Sequence, residues 1–297
     1  MRELDVPARA IVPIPSIEKP DPDLFEREYA RRSVPVIIKG VASEWPACGQ
    51  WPMERLVSEC GRNLVNITRY VDNSSKGSQF VRMRVGEFVK SLTEPPRENG
   101  DVLAWNGEFV SQTLPQLARE LRLPYLVRTN RSHTVAFMAG PRQWPYRHVS
   151  NQFHYHPGLH AFAAQIQGRK LFRLYSPAET RCLYPVPWWR AVPSRSTIEI
   201  HRDDFTRFPR LGHAVCQEAW LETGDLLFIP SGWWHLVANE SFAIVITTFY
   251  PAPFLQWRLA SIPGIGTCID RLLRRKLWKM RKAPGHLGLI TSAAPAP

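Results

Sequence analysis

Residues 151–158 read Asn-Gln-Phe-His-Tyr-His-Pro-Gly, and residues 224–235 read Gly-Asp-Leu-Leu-Phe-Ile-Pro-Ser-Gly-Trp-Trp-His. Side chains alternate between the two faces of a strand, so we expect His154 and His156 on one face and Tyr155 on the other. His235, delivered by a distant strand, would complete a face of three imidazoles. Because imidazole is the commonest protein ligand of metals, this arrangement predicts a metal site at the centre of the chemistry.

Short strands separated by turn residues surround both motifs. Residues 161–175 form an alternating stretch with a turn at Gly168. Residues 226–229 form a short apolar strand after a tight turn, and residues 242–250 are rich in β-branched and aromatic side chains. These patterns favour strands over helices on both sides of the histidines.

The first 130 residues predict a mixture of helices and strands. Helices are predicted at residues 23–33, from residue 51 and at residues 87–92, a buried strand at residues 34–39 and a loop at residues 95–100. We divide the chain into an extended arm (1–20), an α/β lead-in that packs on the barrel (21–130), a jelly-roll core (131–253), a basic helical segment (254–282) and a flexible tail (283–297).

Together, these motifs resemble the Jumonji-C, or cupin-like, family of iron- and 2-oxoglutarate-dependent oxygenases, and most of all its asparaginyl hydroxylases. The likeness is carried by His154-x-His156 and by residues 35–40, 165–170, 182–187, 204–209 and 224–235. It extends over residues 24–253. The resemblance implies a mainly β fold, the double-stranded β-helix or cupin jelly roll, with flanking helices.

The resemblance also implies roles for individual residues. His154 and His235 match the two histidine ligands of Fe(II) in the family. Lys170 matches the lysine whose ammonium pairs with the distal carboxylate of 2-oxoglutarate. Thr247 and Asn151 fall where the family places hydrogen-bonding residues for this cosubstrate.

One ligand position departs from the family. The family carboxylate lies two residues after the first histidine, where this chain has His156. The exchange removes a negative charge from the ligand set and favours metals that prefer imidazole, such as Zn, Cu or Ni. The expected centre is therefore Fe(II) or another divalent metal, held by His154, His156 and His235. His160 is a weaker candidate for the third ligand.

Two classes of function follow from this site. In the first, an oxygenase decarboxylates 2-oxoglutarate and hydroxylates a protein, peptide or small molecule, with Trp234 and Phe249 as apolar walls. In the second, a non-catalytic or 2-oxoglutarate-independent cupin binds a metal through three histidines, as other cupins do. Lys170 favours the enzyme, because only a cosubstrate carboxylate requires a buried ammonium at this spacing. The simpler alternatives are that Lys170 is an ordinary solvated lysine and that the other candidate residues are hydrogen-bonded members of the core.

Composition is consistent with this interpretation but does not select it. About 44% of the residues are hydrophobic, enough for one large core. The five cysteines are scattered and odd in number, which favours neither a disulfide framework nor a zinc ribbon. Since no apolar run reaches the length of a membrane span either, we expect a cytoplasmic protein.

The C-terminal segment is strongly basic. Residues 269–282 combine an apolar stripe at helical spacing with many lysines and arginines, and the whole chain has a net charge of +12. Such a helix could dock on the barrel, pair with a second copy in a homodimer or lie on an anionic membrane surface, and a solvated face is the simpler alternative. No aromatic and basic RNA-binding motif accompanies the charge, so nucleic acid is not expected as a partner.

Overall fold

The computed structural model describes residues 6–70, 78–93, 102–140, 149–187, 194–198, 205–240 and 242–253. The strands in these residues are β1 (Ala10–Pro13), β2 (Ser16–Glu18), β3 (Val36–Lys39), β4 (Leu64–Tyr70), β5 (Ser78–Arg84), β6 (Val102–Phe109), β7 (His133–Ala139), β8 (Val149–His154), β9 (Leu159–Gln167), β10 (Lys170–Tyr175), β11 (Val215–Leu221), β12 (Leu226–Ile229), β13 (Trp234–Asn239) and β14 (Ala243–Pro251). The helices are α1 (Pro22–Phe25), α2 (Met53–Cys60), α3 (Val85–Thr93) and α4 (Val110–Thr113), with a π-helical turn at Glu26–Ala30.

The described strands form two sheets around an apolar interior. One sheet has the order β1-β11-β10-β13-β8, and the other has the order β2-β3-β12-β9-β14-β7-β6-β4-β5. The pairs β1–β11 and β2–β3 are parallel, and the other pairs are antiparallel. Phe172 of the first sheet and Ala163 and Leu227 of the second belong to one buried cluster. The predicted fold, a double-stranded β-helix with flanking helices, is confirmed.

Helices of the lead-in cover the outer face of the larger sheet. Phe25, at the end of α1, lies 4.9 Å from Phe228 and 5.4 Å from Phe162 between ring centroids. Phe88 of α3 lies 6.0 Å from Trp105 of β6. The five aromatic side chains of these contacts are all buried. Burial of each contributes about 1.5 to 3 kcal/mol to the stability of the fold. The lead-in strands β3 and β6 pair with β12 and β7 of the jelly-roll core. The larger sheet therefore contains strands from both sides of the predicted boundary at residue 130.

The outer face of the smaller sheet is covered by a third apolar cluster, which includes residues of the insert between β10 and β11. Tyr155 and Trp234 pack together there with ring centroids 4.6 Å apart. The indole Nε1 of Trp234 donates to Thr180 Oγ1 at 3.0 Å. The insert therefore encloses the side of the sheet that faces away from the barrel interior.

Most of the predicted N-terminal elements are present with shifted ends. The strand expected at residues 34–39 is β3, and the helices expected from residues 51 and 87 are α2 and α3. The helix expected at residues 23–33 begins as α1 and widens into a π-helical turn that ends at Ala30.

The two ends of the chain are described to different extents. The described part of the proline-rich arm is extended and pairs, through β1 and β2, with one strand of each sheet. The predicted loop at residues 95–100, the basic segment 254–282 and the tail 283–297 lie outside the described residues. In the part of the chain that the structure describes, no helix has both the length and the apolar character needed to cross a bilayer.

Candidate metal centre

Two of the three candidate ligands lie opposite each other on paired strands. His154 ends β8, and its backbone pairs with His235 of β13. Cross-strand partners share a face of the sheet, and both imidazoles line a pocket between the sheets. Their sequence neighbours Tyr155 and Trp234 face the outer cluster instead. The strand pairing thus fixes the separation of the backbones that carry His154 and His235.

His156 reaches the same pocket from beyond the end of β8. The chain turns at Gly158, which has a φ of 70°, a left-handed conformation that favours glycine. The ring of His156 packs edge-on against Phe249 of β14, with centroids 4.6 Å apart. A turn, rather than a strand ladder, therefore places the third imidazole.

The three rings are close enough to share one ion. Their centroids are 4.2 Å apart for His154 and His235, 5.0 Å for His154 and His156, and 5.1 Å for His156 and His235. One nitrogen from each ring lies within 4.8 Å of the others. Nitrogens that bind one ion at about 2.1 Å in tetrahedral geometry lie about 3.4 Å from one another, so closing the cluster around an ion requires side-chain movements of up to about 1.4 Å. The donor set fits one small divalent metal.

The hydrogen bonding of His235 orients its ring for such a role. Its Nδ1 lies 3.1 Å from the carbonyl oxygen of Trp233. Since a carbonyl oxygen only accepts, Nδ1 carries the proton and Nε2 has the lone pair for a metal. Burial, with a further contribution from His154, holds the pKa of His235 well below its usual value. The buried imidazole is therefore neutral, as a metal ligand must be.

The histidines open onto a pocket between the two sheets, lined by residues of both. The other lining residues are Phe137, Ala161, Ala163, Lys170, Phe172, Ile229, Val237, Val245, Thr247 and Phe249. Among the described residues, its walls are therefore apolar apart from the histidines, one ammonium and one hydroxyl.

Lys170 is the unusual member of this lining. Its side chain is almost fully enclosed, with 1% of the residue surface exposed, and burial lowers the pKa of its ammonium to about 7. Lys39 pairs with Asp225 at 2.7 Å, whereas no described carboxylate lies within ion-pair distance of Lys170. A buried cation without a counter-charge destabilises the fold. The position is therefore suited to an anionic ligand.

The other three candidate residues lie in different parts of the fold. Thr247 lies on β14 and its buried side chain lines the pocket. Asn151 lies on β8 opposite Val237, and its side chain is outside the described part of the structure. His160 is not part of the cluster, because its ring lies against Phe228 and Tyr250 and not beside the other histidines, and its Nδ1 accepts a hydrogen bond from the backbone N–H of Ser231 at 3.1 Å.

Only one of the two aromatic side chains expected to form walls of the pocket does so. Phe249 lines the pocket, but the expectation for Trp234 is wrong, because it packs in the outer cluster. Adjacent residues of a strand face opposite sides, so Trp234 must turn away when His235 faces inward. Phe137 of β7 also lines the pocket and was missed. Its strand is an apolar run in the sequence, but only the pairing of β7 with β14 brings Phe137 to the histidines.

Comparison with known proteins agrees with this architecture. The family model of the cupin-like domain matches residues 22–256. The chain belongs to this cupin-like family. The family predicted from the motifs is thus confirmed, and the match spans both the lead-in and the barrel.

Several curated proteins are similar to this cupin-like chain. Lysine-specific demethylase 8 of Xenopus tropicalis is 30% identical over 231 residues, which cover 75% of this chain and 49% of that protein. tRNA wybutosine-synthesizing protein 5 of Gallus gallus is 24% identical over 271 residues, which cover 84% and 80%. The bifunctional arginine demethylase and lysyl-hydroxylase psr-1 of Caenorhabditis elegans is 25% identical over 248 residues, which cover 76% and 58%.

The coverage and the names of these relatives limit what can be concluded from sequence similarity. The chain spans about half the length of the demethylase relative. The names of the relatives include demethylases and a hydroxylase, in agreement with an oxygenase-type enzyme. None of these three is named an asparaginyl hydroxylase, so the closer likeness to that branch stays a prediction.

Proposed function

We propose that the chain is an oxygenase that uses a divalent metal, Fe(II) in the first instance, and 2-oxoglutarate to oxidise a protein, peptide or small molecule. One observation carries the proposal. A three-imidazole face and a buried ammonium without an ion-pair partner among the described residues line the same pocket. An ordinary structural metal site has no use for such a cation. A dicarboxylate that binds the metal at one end and Lys170 at the other accounts for both.

Each residue has a defined part in binding. His154, His156 and His235 would hold the metal, and three neutral ligands leave its full positive charge to attract an anion. Lys170 would pair with the distal carboxylate of the cosubstrate, and the hydroxyl of Thr247, which lines the same pocket, would donate a hydrogen bond to it. The metal and 2-oxoglutarate together supply the oxidising chemistry, in which oxygen and the keto acid yield succinate, carbon dioxide and an oxidised substrate.

The apolar walls strengthen these polar contacts. Phe172 and Phe249 are buried and line the pocket. Such walls exclude water, and ionic interactions are stronger where water is absent. A charge-assisted hydrogen bond is worth about 1.5 to 3 kcal/mol, which corresponds to roughly tenfold to hundredfold in affinity. Lys170 can therefore decide whether 2-oxoglutarate binds at useful concentrations.

The direct test is release of succinate from 2-oxoglutarate by protein loaded with Fe(II) under anaerobic conditions and then exposed to oxygen. We expect release in the wild type and none in His235→Ala. His213→Ala is the matched control, because His213 is exposed and lies outside the histidine cluster. Absence of both succinate release and 2-oxoglutarate binding in metal-loaded wild type would refute the proposal.

A second candidate is supported by the ligand set itself. Three imidazoles without a carboxylate suit a metal-binding cupin that is non-catalytic or acts without 2-oxoglutarate. Calorimetry separates the two candidates. The oxygenase requires that metal-loaded wild type bind 2-oxoglutarate and that Lys170→Met lose this binding while keeping its metal. Tight metal binding with no affinity for 2-oxoglutarate would leave the second candidate.

A further inference from the structure

His156 is the one member of the histidine cluster that lies outside a strand. His154 and His235 are held in register by β8 and β13, so their backbones cannot separate without breaking sheet hydrogen bonds. His156 follows the end of β8 and precedes the turn at Gly158. The strand-like pairing reaches only Tyr155, whose N–H donates to the carbonyl oxygen of Ser194 at 3.0 Å, so contacts beyond this bond must hold the backbone of His156 in place.

Ser231 contacts both sides of this turn. Its Oγ accepts a hydrogen bond from the N–H of Gly158 at 2.9 Å and donates to the carbonyl oxygen of His156 at 3.4 Å. The N–H of Gly232 also donates to the carbonyl oxygen of His156, at 3.3 Å. The loop before β13 therefore holds the turn after β8, on the backbone of the ligand residue itself.

His160 in turn holds Ser231. Its Nδ1 accepts the backbone N–H of Ser231 at 3.1 Å, and the residue is almost completely buried. The ring lies between Phe228 and Tyr250, with centroids 5.3 Å from each. Packing therefore fixes the imidazole, and the imidazole fixes the serine.

We propose that Ser231 and His160 are positioning residues that hold His156 in its ligand position. The proposal rests on the metal function proposed above. An imidazole carries its ligand atom farther from the backbone than a carboxylate does, and its ring is rigid. A small shift of the turn therefore displaces the nitrogen of His156 by a similar distance, and the strands that fix the other two imidazoles cannot compensate. The edge contact with Phe249 limits rotation of the ring, whereas the backbone is held by Ser231 and the N–H of Gly232.

Cobalt(II) binding to the full chain tests the proposal without any turnover, through calorimetry and the visible absorption of the bound ion. We expect Ser231→Ala and His160→Leu to weaken cobalt binding by about tenfold to hundredfold, as loss of residues that orient ligands does. Their absorption bands should shift toward those of His156→Ala. His160→Asn supplies an amide oxygen where Nδ1 stood and should restore part of the affinity. Thr113→Val is the control, since it removes a buried hydroxyl bonded to the carbonyl of Phe109, outside the pocket.

A double-mutant cycle distinguishes positioning from general loss of stability. In the His156→Ala background, adding Ser231→Ala should leave cobalt affinity unchanged, because the ligand it holds is gone. An equal loss in both backgrounds, or wild-type affinity in Ser231→Ala and His160→Leu, would overturn the proposal and leave the metal site intact. If Ser231→Ala does not fold, the two substitutions at His160 carry the same comparison. A wild type that binds no cobalt, iron or zinc would overturn both this proposal and the proposed function.

Discussion

Replacement of Lys170 by methionine should stabilise the protein in the absence of ligand. Burial lowers the pKa of the Lys170 ammonium to about 7, from its ordinary value of 10.5 in the unfolded chain. Each unit of difference corresponds to about 1.4 kcal/mol, so the charged side chain destabilises the empty fold by about 5 kcal/mol below pH 7. Methionine fills a similar volume without a charge. The variant should therefore unfold at a higher urea concentration than the wild type at pH 6.5.

The pH dependence of this difference has a definite sign. The unfolded state binds more protons than the folded state between pH 7 and 10.5, so the stability of the wild type rises with pH across this window. The advantage of Lys170→Met should accordingly shrink by about 1.4 kcal/mol per pH unit above pH 7 and vanish near the upper limit. Lys90→Met, at an exposed position of α3, is the matched control and should show no such trend. A difference that does not change with pH would refute the reasoning.

Ligand binding should reverse the order of stability. A carboxylate beside Lys170 favours the charged ammonium, so binding of 2-oxoglutarate above pH 7 takes up a proton. Its affinity should then fall by up to about tenfold per pH unit above pH 7. At a hundredfold excess over Kd, the ligand should stabilise the metal-loaded wild type by about 2.7 kcal/mol and leave Lys170→Met unchanged. Both effects are measured by calorimetry and by urea unfolding with and without 2-oxoglutarate.

Three further substitutions test other parts of the site. His156→Asp restores the carboxylate of the family and should raise succinate release by iron-loaded protein. Unchanged succinate release from a variant with full iron content would contradict the expectation that a carboxylate ligand at this position supports turnover. Thr247→Val should weaken 2-oxoglutarate binding about fivefold in calorimetry, because it removes one neutral hydrogen bond of about 1 kcal/mol, and equal affinity would remove the hydroxyl from the site. Trp234→Phe loses the hydrogen bond to Thr180 and leaves a cavity where the larger indole was buried, so it should lower the free energy of unfolding by about 2 to 3 kcal/mol without changing metal affinity. A loss of metal from Trp234→Phe would mean that the outer cluster controls the ligand positions.

Local patterns were sufficient to predict the strands of the site but not the way they meet. The spacing of two residues placed His154 and His156 on one side, although β8 ends at His154. The same alternation, applied from His235, places Trp234 on the opposite face of β13. The sequence itself therefore argues against Trp234 as a wall of the pocket. Phe137 could not be assigned in this way, since its position depends on the pairing of β7 with β14. Likewise, the pairing of β1 with β11 joins Ala10 to Val215, and nothing local in either segment specifies the other.

The enclosure that folds the barrel also sets the charge state of its pocket. The same apolar residues that bring the two sheets together lower the pKa of His235 and of Lys170. Above about pH 7 these two groups are therefore mostly neutral in the empty pocket, which is the state that an apolar interior tolerates. A metal ion or a dianion alone would introduce an uncompensated charge into this interior. In the proposed function the charges of the metal and the dicarboxylate offset each other, and the distal carboxylate gives Lys170 a counter-charge, so we expect each to strengthen the binding of the other.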